Sequence, residues 1–518
     1  MRNLIRYLSP ATLALTVSVS ALGHEADTEA VAGDMIIERI ARHEDMMRGM
    51  AWQSYSNPAV RQWEQDYGYS ALSGGYGYSG SNRAVDVSRG TGESAWRVGA
   101  DSYMKHKTST LWGSAGYSNG RQRGIRWNES SDADMVYPYF TADSIGGDMR
   151  MEIYSFAGGY ADHNDRWAWG VSAGYRAGLY YRAVDPRPRN TTGCLDIAAG
   201  GALRLGRSDY QAAVSVNFRK YKQSCDVEFV NELSDNSIWH LTGLGTHYER
   251  FAGSGYNHYY NGLQWGAGVN LFPSSRSGAV ASVELSSFNF DHILTGFNRL
   301  PLQSVTDSRV SAQAGWLAPG VSHDFAVTAD LSHRHRNGSE NIFGDPSGNV
   351  YPQIGSLALY SHTLTEASLN VLWQWRPESE SLLSVKPGVE WSRSDESYAD
   401  PRRRVLLSAV TPGVIVKGSR ILGGKWHASL SAEIACALPV DNICELSYDK
   451  NIPAGMQAVD INRYDILSKT NTLAGVNVAL SRALNRRYAI GVSAGYFRHS
   501  YADGVSSDRV DVSASFIF

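Results

Sequence analysis

The sequence predicts an all-β chain, a transmembrane antiparallel up-and-down β-barrel of about 18 strands with short turns at one end and long loops at the other. Three observations predict it. Segments along the chain alternate apolar and polar residues with period two, the connections between them alternate short and long, and the last ten residues form an amphipathic strand ending on Phe518. Beyond the N-terminal region there is no apolar run of about 18 residues, so any bilayer span must be made by strands closed on one another.

Composition agrees. The 518 residues include 51 Gly, 29 Tyr and 14 Trp, yet mean hydropathy is negative, as expected when every second strand residue faces a polar lumen. A formal charge of −3 without a basic face argues against nucleic-acid binding.

The elements follow in order. Arg2 and Arg6 lie beside a short apolar stretch from Leu8 to Leu22, and Ala21-Leu22-Gly23 supplies the small residues of a signal-peptidase site, so residues 1–23 read as a secretory signal peptide. No Cys lies near that site, which argues against a lipoprotein anchor. Residues 24–66 set Met35, Ile36, Ile37, Ile40, Met46, Met47, Met50 and Trp52 among Glu38, Arg39, Arg42, Glu44 and Asp45 at amphipathic-helix spacing. The apolar side needs a cover, which a barrel lumen or a periplasmic partner would each provide. The segment is too short for the folded plug domain of an energised transporter, and no signature for coupling to the energy-transducing apparatus is present.

Residues 67–518 read as the barrel. From Arg166 to Tyr181, Trp167, Trp169, Val171, Ala173, Tyr175, Ala177 and Leu179 share a lipid face, against Arg166, Ser172 and Arg176 on a lumen face. Similar alternation sets Val214, Val216 and Phe218 against Asn217 and Arg219, and Phe325, Val327 and Leu331 against Asp324 and Asp330. Short turns are expected near Lys107, Asn164, Arg207, Ser275, Pro319, Glu378, Gly423 and Asn485. Long polar segments are expected over about 120–148, 182–192, 224–261, 291–307, 336–364 and 438–469. The first strand would run from roughly Tyr69 to Ser88, while Pro387 and Pro412 weaken two strands and leave the count open by about two. The hexapeptide Gly170 to Tyr175 recurs as Gly491 to Tyr496, with a shorter copy at Ser114 to Tyr117, each at a similar distance from a turn. Tyr175 and Tyr496 then belong to an outer aromatic girdle and Trp167 and Tyr488 to an inner one.

The segment Trp127-Asn128-Glu129-Ser130-Ser131-Asp132, followed by Tyr137-Pro138-Tyr139, Ala142-Asp143-Ser144 and Gly146-Gly147-Asp148, resembles the hallmark of a family of large Bacteroidota outer-membrane barrels of unknown function. The resemblance covers essentially the whole mature chain and implies a barrel in the outer membrane. It transfers no activity.

His240, His247, His258, Asp235 and Ser254 share one loop, but no nucleophile motif frames a Ser, so a polar loop is the better reading and no enzyme is expected. His333 and His335, and the loop His residues among Tyr248, Tyr256, Tyr259 and Tyr260, are residue types that hold iron or haem; placement of His333 and His335 on the lipid face favours an interfacial role, and no cofactor or metal is expected. Cys194 with Cys225, and Cys436 with Cys444, are candidate disulfides from topology. Arg166, Arg176, Arg219, Asp324, Asp330, Lys425 and Glu433 are candidate lumen-lining groups, of mixed sign. Phe516 and Phe518 resemble the signal read by the barrel-assembly machinery.

The expected function is an outer-membrane channel or gated uptake barrel for a small solute, with a place beside an energised nutrient system as one role. The alternative is a non-conducting barrel that displays its loops for adhesion or for binding a surface or periplasmic protein. Expected partners are outer-membrane lipid, the assembly machinery and the solute.

Overall fold

Alternating strands joined by tight turns close into one 18-stranded antiparallel barrel, in which each strand pairs with its neighbours in sequence. The computed structural model describes residues 35–231, 238–253, 257–348, 350–446, 450 and 452–518; the signal segment and residues 24–34 lie outside them. The strands are β1 (Tyr69–Ser81), β2 (Gly92–Lys105), β3 (Ser109–Ile125), β4 (Gly147–His163), β5 (Trp167–Tyr181), β6 (Arg187–Arg204), β7 (Tyr210–Glu228), β8 (His258–Pro273) and β9 (Gly278–Leu294). They continue as β10 (Leu300–Ala318), β11 (His323–Phe343), β12 (Gln353–Trp375), β13 (Ser381–Tyr398), β14 (Arg403–Leu422), β15 (Trp426–Glu445), β16 (Asn471–Ala483), β17 (Ala489–Ser500) and β18 (Ser506–Ile517). The seam joins β1 to β18, with Leu72 opposite Phe516, and Ser70 and Phe518 exchange two backbone hydrogen bonds of 2.9 Å.

The period-two pattern sorts the two faces. On β5, Trp167, Trp169, Val171 and Tyr175 are exposed outward, while Ala168 and Gly170 are buried inward. Trp96, Val214, Trp265, Trp316, Phe325, Ile490 and Val512 extend this apolar surface around the wall. A band of that size needs lipid to cover it, which makes this an outer-membrane-type barrel. Among the described residues no helix is long and apolar enough to cross a membrane.

All eight expected short turns occur, over residues 106–108, 164–166, 205–209, 274–277, 319–322, 376–380, 423–425 and 484–488. The other end departs from expectation. Connections 182–186, 295–299 and 399–402 are as tight as turns, and β1 stops at Ser81. Most of the polar residues read as loop there are strand, because a wall that rises past the bilayer has water on its outer face and loses its apolar alternation. The rise is uneven. β11 and β12 have 21 and 23 residues, whereas β16, β17 and β18 have 13, 12 and 12. At ~3.3 Å per residue and ~40° tilt, the wall stands about 55 Å tall on one side and about 30 Å on the other.

Both doubtful prolines lie inside strands. Pro387 opposes Val414 and Pro412 opposes Val389 in the β13–β14 ladder. Each costs a gap in its other ladder: pairing to β12 skips between Asn370↔Gly388 and Trp373↔Val385, and pairing to β15 skips between Val410↔Leu438 and Gly413↔Ala435. A residue without an N–H interrupts a ladder locally and leaves the strand intact.

Candidate functional site

The lumen is filled from both ends and left open between. At the turn end, the N-terminal segment forms α1 (Ile36–His43) and three single 3₁₀ turns, Met46–Ala51, Ser54–Ser56 and Arg61–Trp63. An eight-residue helix is unstable alone in water. Here Ile36, Ile37 and Ile40 are buried against Ala489 and Ile517, with Ile421 and Ala483 beside them, contributing about 2 kcal/mol for each isoleucine. Ile517 faces inward and so gives the last strand an apolar residue on each side.

Polar ties hold the segment to the wall. Glu44 accepts from Lys417 at 3.1 Å and Ser429 at 2.8 Å, and Asp45 accepts from Gln374 at 2.8 Å. Gln53 donates to Ser311 at 3.2 Å, and Asn57 donates to the Val214 carbonyl and Asn270, both at 3.1 Å. Tyr103 donates to the Arg61 carbonyl at 2.9 Å, and Lys105 to the Gln62 carbonyl at 2.5 Å. These anchors lie on β2, β7, β8, β10, β12, β14 and β15, so the segment crosses the bore rather than hanging below it. The wall makes room with small inward residues, Ala168, Ala202, Ala213 and Ala326. Gly170 and Gly200, directly opposed between β5 and β6, receive Pro58 and Asn57.

At the other end, the connections 126–146 and 446–470 and the described part of 229–257 fold inward as a cap. Trp127, Val136, Tyr139, Phe140, Leu241 and Met456 pack on the wall residues Tyr221, Tyr260, Phe288, Phe290 and Val305. A small sheet of Thr141–Ala142, Trp239–Gly243 and Thr246–His247 joins two of the loops, and a second helix, α2 (Ala454–Leu467), closes the third. Ion pairs fasten cap to wall. Asp132 takes Arg176 at 2.7 Å, and Glu396 takes Arg463 of α2 at 3.1 Å along with the Tyr137 hydroxyl. Asp143 takes Arg182 at 2.7 Å, while Glu129 stands 3.6 Å from the same guanidinium. Burial, then the neighbouring Asp143, pushes the Glu129 carboxyl well above its ordinary range, because Arg182 is the closer partner of Asp143. Burial likewise raises Asp460 of α2 to about 7.

Between plug and cap lies a chamber of about 640 Å³. Trp52 and Gln53 contribute from the plug, Asp134 and Met135 from the cap, and β7 to β13 form the wall with Arg219, Glu284, Ser311, Asp330, Arg334, Glu366 and Glu390 among its residues. A second cavity of about 600 Å³ lies against the shorter wall, with Ser73, Gly75, Gly99, Ser493 and Ser513 beside Arg97, Arg509 and Asp511.

Arg176 and Arg219 are paired with Asp132 and Asp196, Asp324 with Arg376 at 2.5 Å, Asp330 borders the chamber, and Glu433 lines a smaller cavity. Arg166 and Lys425 are corrected: they sit in the turns 164–166 and 423–425, since the strands begin one residue later, at Trp167 and Trp426. The disulfides are also corrected, because all four Cys are free. Cys194 opposes Tyr221 and Cys225 opposes Asn190, four positions apart in one ladder. Cys436 and Cys444 lie on a single extended strand, about 26 Å apart by its rise, far beyond disulfide reach.

His240 of the cap is buried against His258 and His292 of the wall, with ring separations among the three of 4.9 to 6.3 Å. Asp235 and Ser254, the other members of that loop constellation, lie outside the described residues. His333 and His335 bond Thr365 and Thr363 across the outer face. Among the described residues no group of three or more His, Cys, Asp or Glu is arranged to hold a metal ion. Sequence reasoning missed Trp52, Glu284, Glu366 and Glu390. The parity of β9, β12 and β13 carries the signal for the carboxylates: Glu284 lies between outward Val283 and Leu285, and Glu390 between Val389 and Trp391.

No curated protein matches the chain. Among solved structures, the ferric preacinetobactin receptor BauA from Acinetobacter baumannii is similar at 8% identity, with 87% of this chain and 79% of that chain covered and a TM-score of 0.41. The copper transporter OprC follows at 7% identity, 87% and 80% coverage and a TM-score of 0.40. The CymD monoaromatic hydrocarbon channel gives 11%, 90% and 92%, and 0.30. Scores this low decide nothing about this chain. A family model matches residues 58–518, from Pro58 in the plug to the last residue, and the chain belongs to the family it describes, a family of unknown function (DUF6850).

Proposed function

We propose that the protein is an outer-membrane channel or gated uptake barrel for a small solute, with its tight turns in the periplasm and its cap at the cell surface. The observation that carries this reading is a polar chamber enclosed between a plug and a cap inside a barrel of a width that leaves an aqueous bore. Both closures combine apolar packing with hydrogen bonds and ion pairs to the wall, and neither is continuous with the barrel sheet. No chemistry is asked of the side chains beyond binding and passage.

Single-channel conductance of the mature protein in a planar bilayer tests it. Brief steps are expected from the native chain, and longer, larger steps from variants whose plug seat is filled. A folded barrel that conducts in neither form overturns the proposal. It would favour the display reading, for which the tall β11–β12 wall and the surface-facing cap supply the area.

A further inference from the structure

We propose that the chamber binds a small alkylammonium ion, held between the indole of Trp52 and the carboxylates of Glu284, Asp330, Glu366 and Glu390. The inference rests on the reading of the chamber as the solute's site and adds the chemical class of that solute.

The wall carries its acids in two tiers. Register sets Glu284, Ser311, Ser332 and Glu366 side by side across β9 to β12, and one pleat nearer the plug sets Gln313, Asp330, Ser368 and Glu390 across β10 to β13. Neutral side chains thus separate the carboxylates within each tier. Among the described residues none of the four has an ion-pair partner: Glu284 accepts from Asn217 at 2.9 Å, and Asp330 from Gln313 at 2.7 Å and Ser368 at 3.3 Å.

The nearby guanidinium groups are largely committed elsewhere. Arg219 holds Asp196 at 2.5 Å, and Arg334 and Arg336 share Asp307, each at 2.6 Å. Arg309, one tier nearer the cap, bonds Ser332 at 3.1 Å and is the one chamber guanidinium without a carboxylate. Lys386, four residues below Glu390, lines an adjoining cavity that Ser368 and Glu390 also border, with Glu433 in the same lining. The four carboxylates outnumber Arg309 and the one positive charge that Arg334 and Arg336 leave over on Asp307, so the chamber keeps an excess of negative charge, and in a partly desolvated bore such an excess selects cations.

One further group distinguishes an organic cation from a metal ion. Trp52 is 61% exposed although its neighbours Ala51 and Gln53 are buried at 3% and 4%, so the plug presents one large aromatic surface to the chamber. An indole face attracts a cation and accepts the alkyl groups that carry it. Behind the chamber wall, Gln313 is 3% exposed, gives its Nε2 to Asp330 and so holds that carboxylate in place.

Saturation-transfer NMR titration of the folded mature protein in detergent, with butylammonium chloride as probe, tests the inference. Butan-1-ol and butyrate serve as neutral and anionic probes of the same chain length. Saturable binding of butylammonium alone is expected, about fivefold weaker in Trp52→Ala and at least about tenfold weaker in Glu366→Gln/Glu390→Gln. Both variants alter groups in contact with the chamber, and heat-modifiable gel mobility confirms that each still forms the barrel. Equal binding of the three probes, no saturable binding, or an unchanged affinity in either variant overturns the inference. Binding without conductance would instead retain this site and remove the channel, so the two readings fail separately.

Discussion

A methyl group added at position 170 would stand 2.5 Å from the carbonyl carbon and oxygen of Pro58, backbone atoms that have no side-chain freedom with which to move aside. Gly170→Ala should therefore lift residues 57–59 from the wall and break the Asn57 bonds to Val214 and Asn270, at a cost of about 1–3 kcal/mol to plug seating. Hydrogen exchange over residues 46–66 is expected to quicken while the barrel strands stay protected; an unchanged plug would show that the seat yields more easily than its geometry implies. A second residue-scale prediction concerns pH. Glu129 has its carboxyl raised in the native cap, so its contribution to stability is complete below the unfolded value near pH ~4.3 and is lost as pH rises through the native one. Asp460, raised to about 7, acts in the same direction. The cap should loosen toward alkaline pH, with exchange in residues 127–143 faster at about pH 8 than at about pH 5 after correction for intrinsic rates. Glu129→Gln should flatten that dependence, and a cap that tightens with rising pH would contradict the assignment.

The last strand and the residue after it join three roles. Its outward Val510, Val512 and Phe516 meet lipid, its inward Ile517 seats α1, and Phe518 closes the seam through Ser70. Removing Phe518 should lower the amount of folded protein severalfold, as read by heat-modifiable mobility of membrane fractions, through loss of two seam hydrogen bonds and, on the expectation that Phe518 is read by the assembly machinery, of that signal. Normal levels would assign assembly to other strands. The outward half of this strand was legible in the sequence because lipid demands strict alternation. Ile517 was not, since a lone apolar residue on the lumen face gains meaning only from the helix packed on it. The same limit applies to α1, whose apolar side announced a cover without saying which. It applies again to the tops of β6, β9 and β12, where water on the outer face erases the pattern that marks a strand. Cys194 and Cys225 show the remaining gap: they lie on adjoining strands, but pairing depends on register, and the alternation of side chains repeats every two residues without fixing which repeat faces which.

The barrel as a whole was the most legible scale. Turn positions, strand number and closure follow from the rhythm of the chain, whereas the chamber depends on which distant segments fold into the bore. Each closure draws on a different part of the sequence and a different balance of forces, the plug on isoleucines and small wall residues, the cap on aromatic packing and buried ion pairs. They can consequently loosen independently, as passage through two barriers in turn requires. The unequal height of the wall bears on how the molecule meets its surroundings. With one flank rising about 25 Å above the other, the mouth is an inclined opening, tilted toward β16–β18. If the protein admits a solute as proposed, that solute has a direction of easy approach, and a bulky neighbour standing on the low flank would shut the entrance without touching a single residue of the bore.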